Sequence, residues 1–196
     1  MKFFLSLLIL PLALLSGVEI DTQPAVENFP SEISFEAEGK KYDLQLTGTS
    51  LRKKFGFKVY RVAHYREKGT PQTDGDKFQH VLNDDKAKEL YIKWIHAASS
   101  KQMHDGYIDS FKNTLSPADY EQLNPKIQQY LSFFNEPIQK GDIMVIRWIP
   151  GGKIQLLLND KEKGNLTDPT FAKALWNLWF GEKSVVNREE LLNLEK

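Results

Sequence analysis

Cysteine is absent from this 196-residue chain. That excludes thiol catalysis, Cys-ligated zinc and disulfide bridges. It leaves the redox compartment open, because a chain without thiols folds in either setting. Net charge is absent too: 26 basic residues balance 26 acidic ones, and no run of like sign exceeds three. A broad electrostatic footprint for nucleic acid is not expected from such a chain. Only four histidines occur, at 64, 80, 96 and 104. No two of them stand at the spacing that sets a pair of imidazoles on one helix face, so no metal site is expected. There is no G-x-S-x-G elbow for a nucleophilic serine, and Gly48-Thr49-Ser50 lacks the Gly-Lys-Ser/Thr that completes a phosphate loop. No cofactor is expected.

Long apolar runs are also missing, with one exception at the N-terminus. Lys2 supplies a positive start, residues 3–15 are almost wholly apolar, and Ser16-Gly17 then gives small residues. The run is about 13 residues, short of the roughly 20 that span a bilayer. This is the pattern of a secretory signal peptide, so residues 1–17 are expected to direct export, to the periplasm or outside the cell. Residues 18–196 then form one domain, a size that builds a core without a disulfide or metal staple.

Strand periodicity dominates the first part of that domain. Ile33, Phe35 and Ala37 alternate with polar residues, Gly39-Lys40 marks a hairpin, and Tyr42, Leu44 and Leu46 alternate again. A polar break holding Gly48-Thr49-Ser50 and Arg52 is expected next. A third strand follows, with Phe55, Phe57, Val59, Arg61, Ala63 and Tyr65 on one face and Lys58, Tyr60, Val62 and His64 on the other. Residues 76–84 read as a short helix and 89–97 as a strand. Ser99 or Ser100 caps a helix running to about residue 114. Ser116-Pro117-Ala118-Asp119 is a helix start: a capping serine, Pro at the first helical position and an acid in the first turn. Strands at 143–149 and 153–158 flank a hairpin at Pro150-Gly151-Gly152. Asp168-Pro169 opens a bulky apolar helix ending at Gly181, placed as a left-handed C-terminal glycine, and a short helix spans 187–194. Strands in hairpins with helices in separate blocks predict an α+β fold, an antiparallel sheet with helices layered on one face.

The candidate chemistry is sparse. Asp84-Asp85 and Glu189-Glu190 read as solvated helix ends. Trp94, Trp148, Trp176, Trp179 and several phenylalanines supply either a packed core or an apolar pocket with a few polar groups. Arg52 is the best polar candidate, since a guanidinium offers a planar fork matching a carboxylate or an enolate-like oxygen.

Three segments in order, LTGTSLRKKFGFKVYRVAHYRE, GDIMVIRWIPGGKIQLLLND and DPTFAKALWNLWFGEKSVVNREELL, resemble the chalcone isomerase-like family, above all its exported bacterial members. The resemblance covers about residues 28–194. It implies an open-faced β-sandwich, a large antiparallel sheet with a layer of helices. In the plant isomerases of that family the catalytic Arg follows the Gly-rich turn, and Arg52 matches it. Other active-site positions do not match: Tyr60 stands where a Thr belongs, Met103 where a Tyr belongs, Ser110 where an Asn belongs, and Leu178 where a Ser or Thr belongs. Cyclisation requires a stabilised oxyanion, and an Arg amid Met and Leu suits binding better. The resemblance therefore implies a non-catalytic protein binding an apolar or amphipathic small molecule such as a fatty acid. Arg52 would pair with its carboxylate and Tyr60 would add a hydrogen bond, with no catalytic residue assigned. Two alternatives stay open: an isomerase or lyase on a conjugated carbonyl using Tyr60 or Tyr107, and a structural or partner-binding module with a filled interior.

Overall fold

The computed structural model describes residues 29–71 and 75–194, so the expected signal peptide at 1–17 lies outside the described residues. Seven strands form one antiparallel sheet in strict chain order: β1 (Glu32–Ala37), β2 (Lys40–Lys54), β3 (Phe57–Glu67), β4 (Lys88–Trp94), β5 (Ile143–Ile149), β6 (Lys153–Leu158) and β7 (Lys161–Thr167). α1 (Lys77–Asn83) lies between β3 and β4, α2 (Ser100–Thr114) and α3 (Pro117–Leu131) between β4 and β5, and α4 (Pro169–Phe180) after β7. A 3-10 turn, Arg188–Leu192, follows. The architecture is the expected α+β fold, an antiparallel sheet with helices layered on it.

Alternation along the strands creates two faces. Tyr60, Val62, Leu90, Ile92, Met144, Ile146, Ile154 and Leu156 point toward the helices and form the main core with them. Phe35, Tyr42, Leu44, Ala63 and Tyr65 point the other way and pack with Phe29 and Ile149 in a smaller cluster. α4 buries eight of its 12 residues, as a helix apolar on most of its circumference must. The helix starts follow the sequence: Asp76, Ser99, Ser116 and Asp168 each accept a backbone N–H from the first turn. Each such cap is worth roughly 1 kcal/mol. α3 continues through Pro125, held by the buried stripe of Leu123, Ile127, Tyr130 and Leu131.

Several expectations need correction. The polar segment at residues 48–52 is not a break, because β2 runs through it to Lys54. The turn falls instead at Phe55-Gly56, both with positive φ, so Phe55 belongs to no strand face. The ladder does carry an irregularity between Leu46 and Gly48. There the 3-10 turn crosses so closely that a Cβ on Gly48 would stand 2.1 Å from the Glu190 carbonyl oxygen. Thr47 donates its hydroxyl to the Leu191 carbonyl at 2.8 Å, and the Leu194 N–H returns to the Thr47 carbonyl. Glycine is thus required at 48 by backbone contact across the fold rather than by a turn. Gly181 is likewise not left-handed: its φ is −72°, and a Cβ there would lie 2.3 Å from the Asn177 side-chain oxygen. The last helix is only the 3-10 turn, and β7 is an element the sequence reading lacked.

The acidic pairs are not simply solvated ends. Asp84 sits between Arg66, 2.7 Å away, and Lys88, and both cations are buried. Lys88 also donates to the Val81 carbonyl and lies over the Trp148 ring. Burial pulls its pKa down to about 8 against the favourable pull of Asp84. Asp85 accepts from Trp148 Nε1 and the Gly151 N–H, and Glu190 accepts from Ser50 at 2.7 Å. His64 and His96 do not converge: His64 is buried opposite Leu90, whereas His96 lies exposed past the end of β4. Among the described residues no group of three or more His, Asp or Glu could hold a metal ion. No helix among them is long and apolar enough to cross a membrane.

Candidate functional site

The sheet and helices do not close completely. Between the ends of β2, β3 and β4 and the inner face of α2 over residues 102–110 lies a cavity of about 820 Å³, within the roughly 300–1,000 Å³ usual for small-molecule sites. Val59, Tyr60, Trp94 and Met144 line it from the sheet, Met103, Tyr107 and Ser110 from α2, and Leu178, Trp179 and Val185 from α4 and the segment after it. Phe55 and Phe57 of the hairpin tip and Asp105 and Asp109 of α2 stand at its exposed rim. A filled interior is therefore not what this sequence builds.

Arg52 and Tyr60 both reach this cavity. They are direct partners across the β2–β3 ladder, which places their side chains on one face. The register shifts immediately after Arg52, and such a bulge re-aims a strand end. The half-buried guanidinium donates through Nη1 to the Val185 carbonyl. That bond uses one of five donors and neutralises no charge. Among the described residues Arg52 forms no ion pair.

Tyr60 is buried against Trp94, ring edge to ring face at 5.2 Å. Its hydroxyl oxygen accepts the Trp179 indole N–H at 3.1 Å. The hydroxyl proton has no acceptor among the described residues, so it is free to meet a ligand oxygen. Burial pushes the Tyr60 pKa up to about 12, while the charge of Arg52 and the Trp179 hydrogen bond pull the other way. The phenol is therefore a neutral donor beside a fixed cation at neutral pH.

Ser110 and Tyr107 on the wall have partners, whereas the buried Trp94 indole N–H has none among the described residues. The Ser110 hydroxyl donates to the Gly106 carbonyl of its own helix at 2.7 Å. The Tyr130 hydroxyl donates to the Tyr107 hydroxyl at 3.2 Å. Burial holds both phenols above their usual range. Met103 and Leu178 offer no proton at all.

The five positions that the resemblance brings forward, Arg52, Tyr60, Met103, Ser110 and Leu178, all line this one cavity. Sequence reasoning missed the specific use of Trp179, which orients Tyr60, and of the Val185 carbonyl, which holds Arg52. No short-range pattern points to either. Met103, Tyr107 and Ser110 recur at helical spacing, which sets them on one face of α2 toward the cavity.

A sequence model of the family described as chalcone isomerase-like matches residues 25–192. No curated protein sequence matches the chain. Among solved structures, the crystal structure of a fatty-acid binding protein of Arabidopsis thaliana is similar, with a TM-score of 0.69 and 15% sequence identity. The match covers 84% of this chain and 91% of that one. At that identity the likeness speaks for the fold alone.

Proposed function

This chain belongs to the chalcone isomerase-like family, and we propose that it uses the fold to bind a small amphipathic molecule without transforming it. The ligand class that fits is a carboxylate on an apolar tail, as in a fatty acid. The observation that carries this reading is the Arg52–Tyr60 pair on the wall of an otherwise aromatic and aliphatic cavity.

Arg52 keeps four N–H donors beyond the one given to Val185, enough for a bidentate carboxylate contact. Tyr60 adds an O–H held in place by Trp179. The tail then lies against Trp94, Met103, Met144 and Leu178, where dispersion and dehydration favour it. The structural neighbour described as a fatty-acid binding protein supports the same reading. The wall favours binding over cyclisation of a conjugated ketone. Such a reaction needs several donors aimed at one developing oxyanion, whereas Met103 and Leu178 supply none and Ser110 is bonded within α2. Residues 1–17 are proposed to direct export, which the N-terminal sequence of the protein recovered from its host would test.

The deciding experiment is native mass spectrometry of the protein purified from its own host, paired with titration of a fatty acid into stripped protein. The wild type is expected to carry a carboxylate-bearing molecule. Arg52→Ala is expected to bind about 10- to 100-fold more weakly, matching roughly 1.5–3 kcal/mol for hydrogen bonds to a charged group. Equal affinity in a folded Arg52→Ala protein would end the assignment of Arg52, and cyclisation of a chalcone well above background would replace binding with catalysis.

A further inference from the structure

We infer that the β2–β3 hairpin tip is a docking element for an anionic lipid bilayer, placed so that the cavity opens against the membrane. The inference rests on the cavity being a site for an acidic lipid chain.

The tip reads Lys53-Lys54-Phe55-Gly56-Phe57-Lys58. Phe55 is 89% exposed and Phe57 is 69% exposed, while the other exposed large hydrophobic among the described residues, Leu194, is at 43%. Folding does not explain Phe55. Its φ is 51° and that of Gly56 is 82°, so the two form the centre of a tight hairpin turn with both residues left-handed. Asn, Asp and Gly suit that geometry, whereas a bulky side chain there is a backbone outlier. The chain thus holds a phenylalanine in a strained conformation with its ring in water, a combination that favours neither stability nor solubility. Strain of this kind points to use.

The charges around the two rings indicate what they meet. Lys53, Lys54 and Lys58 are exposed, and among the described residues none of them pairs with a carboxylate. Apolar rings between uncompensated lysines match a layer of anionic headgroups over acyl chains. Lys54, Phe55 and Phe57 are also part of the cavity rim, while the α2 side carries Asp109 and the Lys101–Asp105 ion pair. An anionic surface attracts the first side more strongly than the second, which tilts the molecule onto its hairpin. A fatty acid leaving the bilayer there meets Arg52 next.

The test is co-sedimentation of the protein from its own host with phosphatidylcholine vesicles, with and without phosphatidylglycerol. The readout is the difference between wild type and tip variants. The wild type is expected to bind the anionic vesicles and to release with added salt. The triple variant K53Q/K54Q/K58Q is expected to partition at least about tenfold more weakly. Phe55→Asn is expected to lose vesicle binding while its Tm rises, since Asn-Gly suits the turn; misfolding cannot then account for the loss. Equal binding to neutral vesicles, no binding, or tip variants that bind like wild type would overturn the inference. So would a wild-type dimer that the tip variants convert to monomer, which would make the tip a self-association surface. The double variant K53Q/K58Q, whose two lysines lie outside the cavity lining, is expected to weaken vesicle binding while keeping its affinity for a soluble fluorescent fatty acid. If tip variants lose vesicle binding while Arg52→Ala retains that probe at full affinity, the cavity reading fails and the docking surface stands.

Discussion

Arg52 and Tyr60 face each other across the β2–β3 ladder, and the charge of the first opposes the burial of the second. The guanidinium makes a phenolate less unfavourable, yet burial dominates and the proton stays on Tyr60. The pair therefore presents a cation and a neutral donor to one space, which is the complement of a carboxylate.

Replacing Tyr60 by Phe removes the donor and leaves the buried Trp179 indole N–H without its acceptor. Affinity for a fatty acid is expected to fall about tenfold, and stability by roughly 1–3 kcal/mol. Calorimetric titration and urea unfolding measure the two effects separately. A stability loss with unchanged affinity would leave Tyr60 as a structural support for Trp179 alone.

Met103→Trp puts a larger side chain on α2 at the cavity wall, where open space lies beside it. The substitution is expected to cost little stability, because the added volume enters the cavity rather than a filled core. Long-chain fatty acids are expected to weaken at least tenfold relative to short-chain ones, since chain length then exceeds the space left. A uniform loss across chain lengths would mean that the tail does not run past Met103.

His64 sets an acid limit on stability. Burial first, then the charges of Arg66 and Lys88, hold its pKa well below 6.5. The folded imidazole stays neutral while the unfolded one takes up a proton as pH falls through about 6.5. The stability present above that pH is therefore lost on acidification toward the folded pKa, at a limiting slope of about 1.4 kcal/mol per pH unit. His64→Phe keeps an aromatic contact with Phe180 and is expected to flatten this limb. Urea unfolding between about pH 7 and pH 5 checks it; parallel curves for both proteins would show that His64 contributes no such slope.

Asp84→Ala removes the carboxylate that pairs with two buried cations, Arg66 and Lys88, at once. Removing one partner of a buried ionic group costs about 3–5 kcal/mol, and the loss is expected in chemical unfolding. A change below about 1 kcal/mol would place this cluster in water rather than in the core.

The sequence made the strand alternation and the helix caps legible because both are written in residues a few positions apart. Ser99, Ser116 and Asp168 are read from their immediate neighbours and hold those places in the fold. β7 escaped because its only buried residue is Leu166. What it offers instead is a glycine, Gly164, lying so close under the Phe133 ring that a Cβ would meet it at 2.3 Å. The preceding Asn159-Asp160 turn, both residues at positive φ, was the one local signal for it. Gly48-Thr49-Ser50 looked like a turn because its reason for small residues, the 3-10 turn packed on Gly48, lies far along the chain. The pairing of Asp84 with Arg66 was hidden because Arg66, on β3, precedes it by 18 positions, although its second partner Lys88 lies only four residues on. Arg52 was legible as an isolated cation after an apolar strand, while its holder Val185 and its neighbour's holder Trp179 follow only from tertiary structure.

Because each strand pairs with its neighbour in sequence, most of the sheet can zip up locally, one hairpin after another, with little chain entropy lost per step. The Thr47–Leu191 bond is the opposite kind of contact, joining residues 144 positions apart. It closes a loop that holds every strand from β3 to β7 and every helix, so its closure is entropically the most costly and is expected to come after theirs. The glycine at 48 thus serves as the seat for a final latch, and mutations around it should speed unfolding far more than they slow folding.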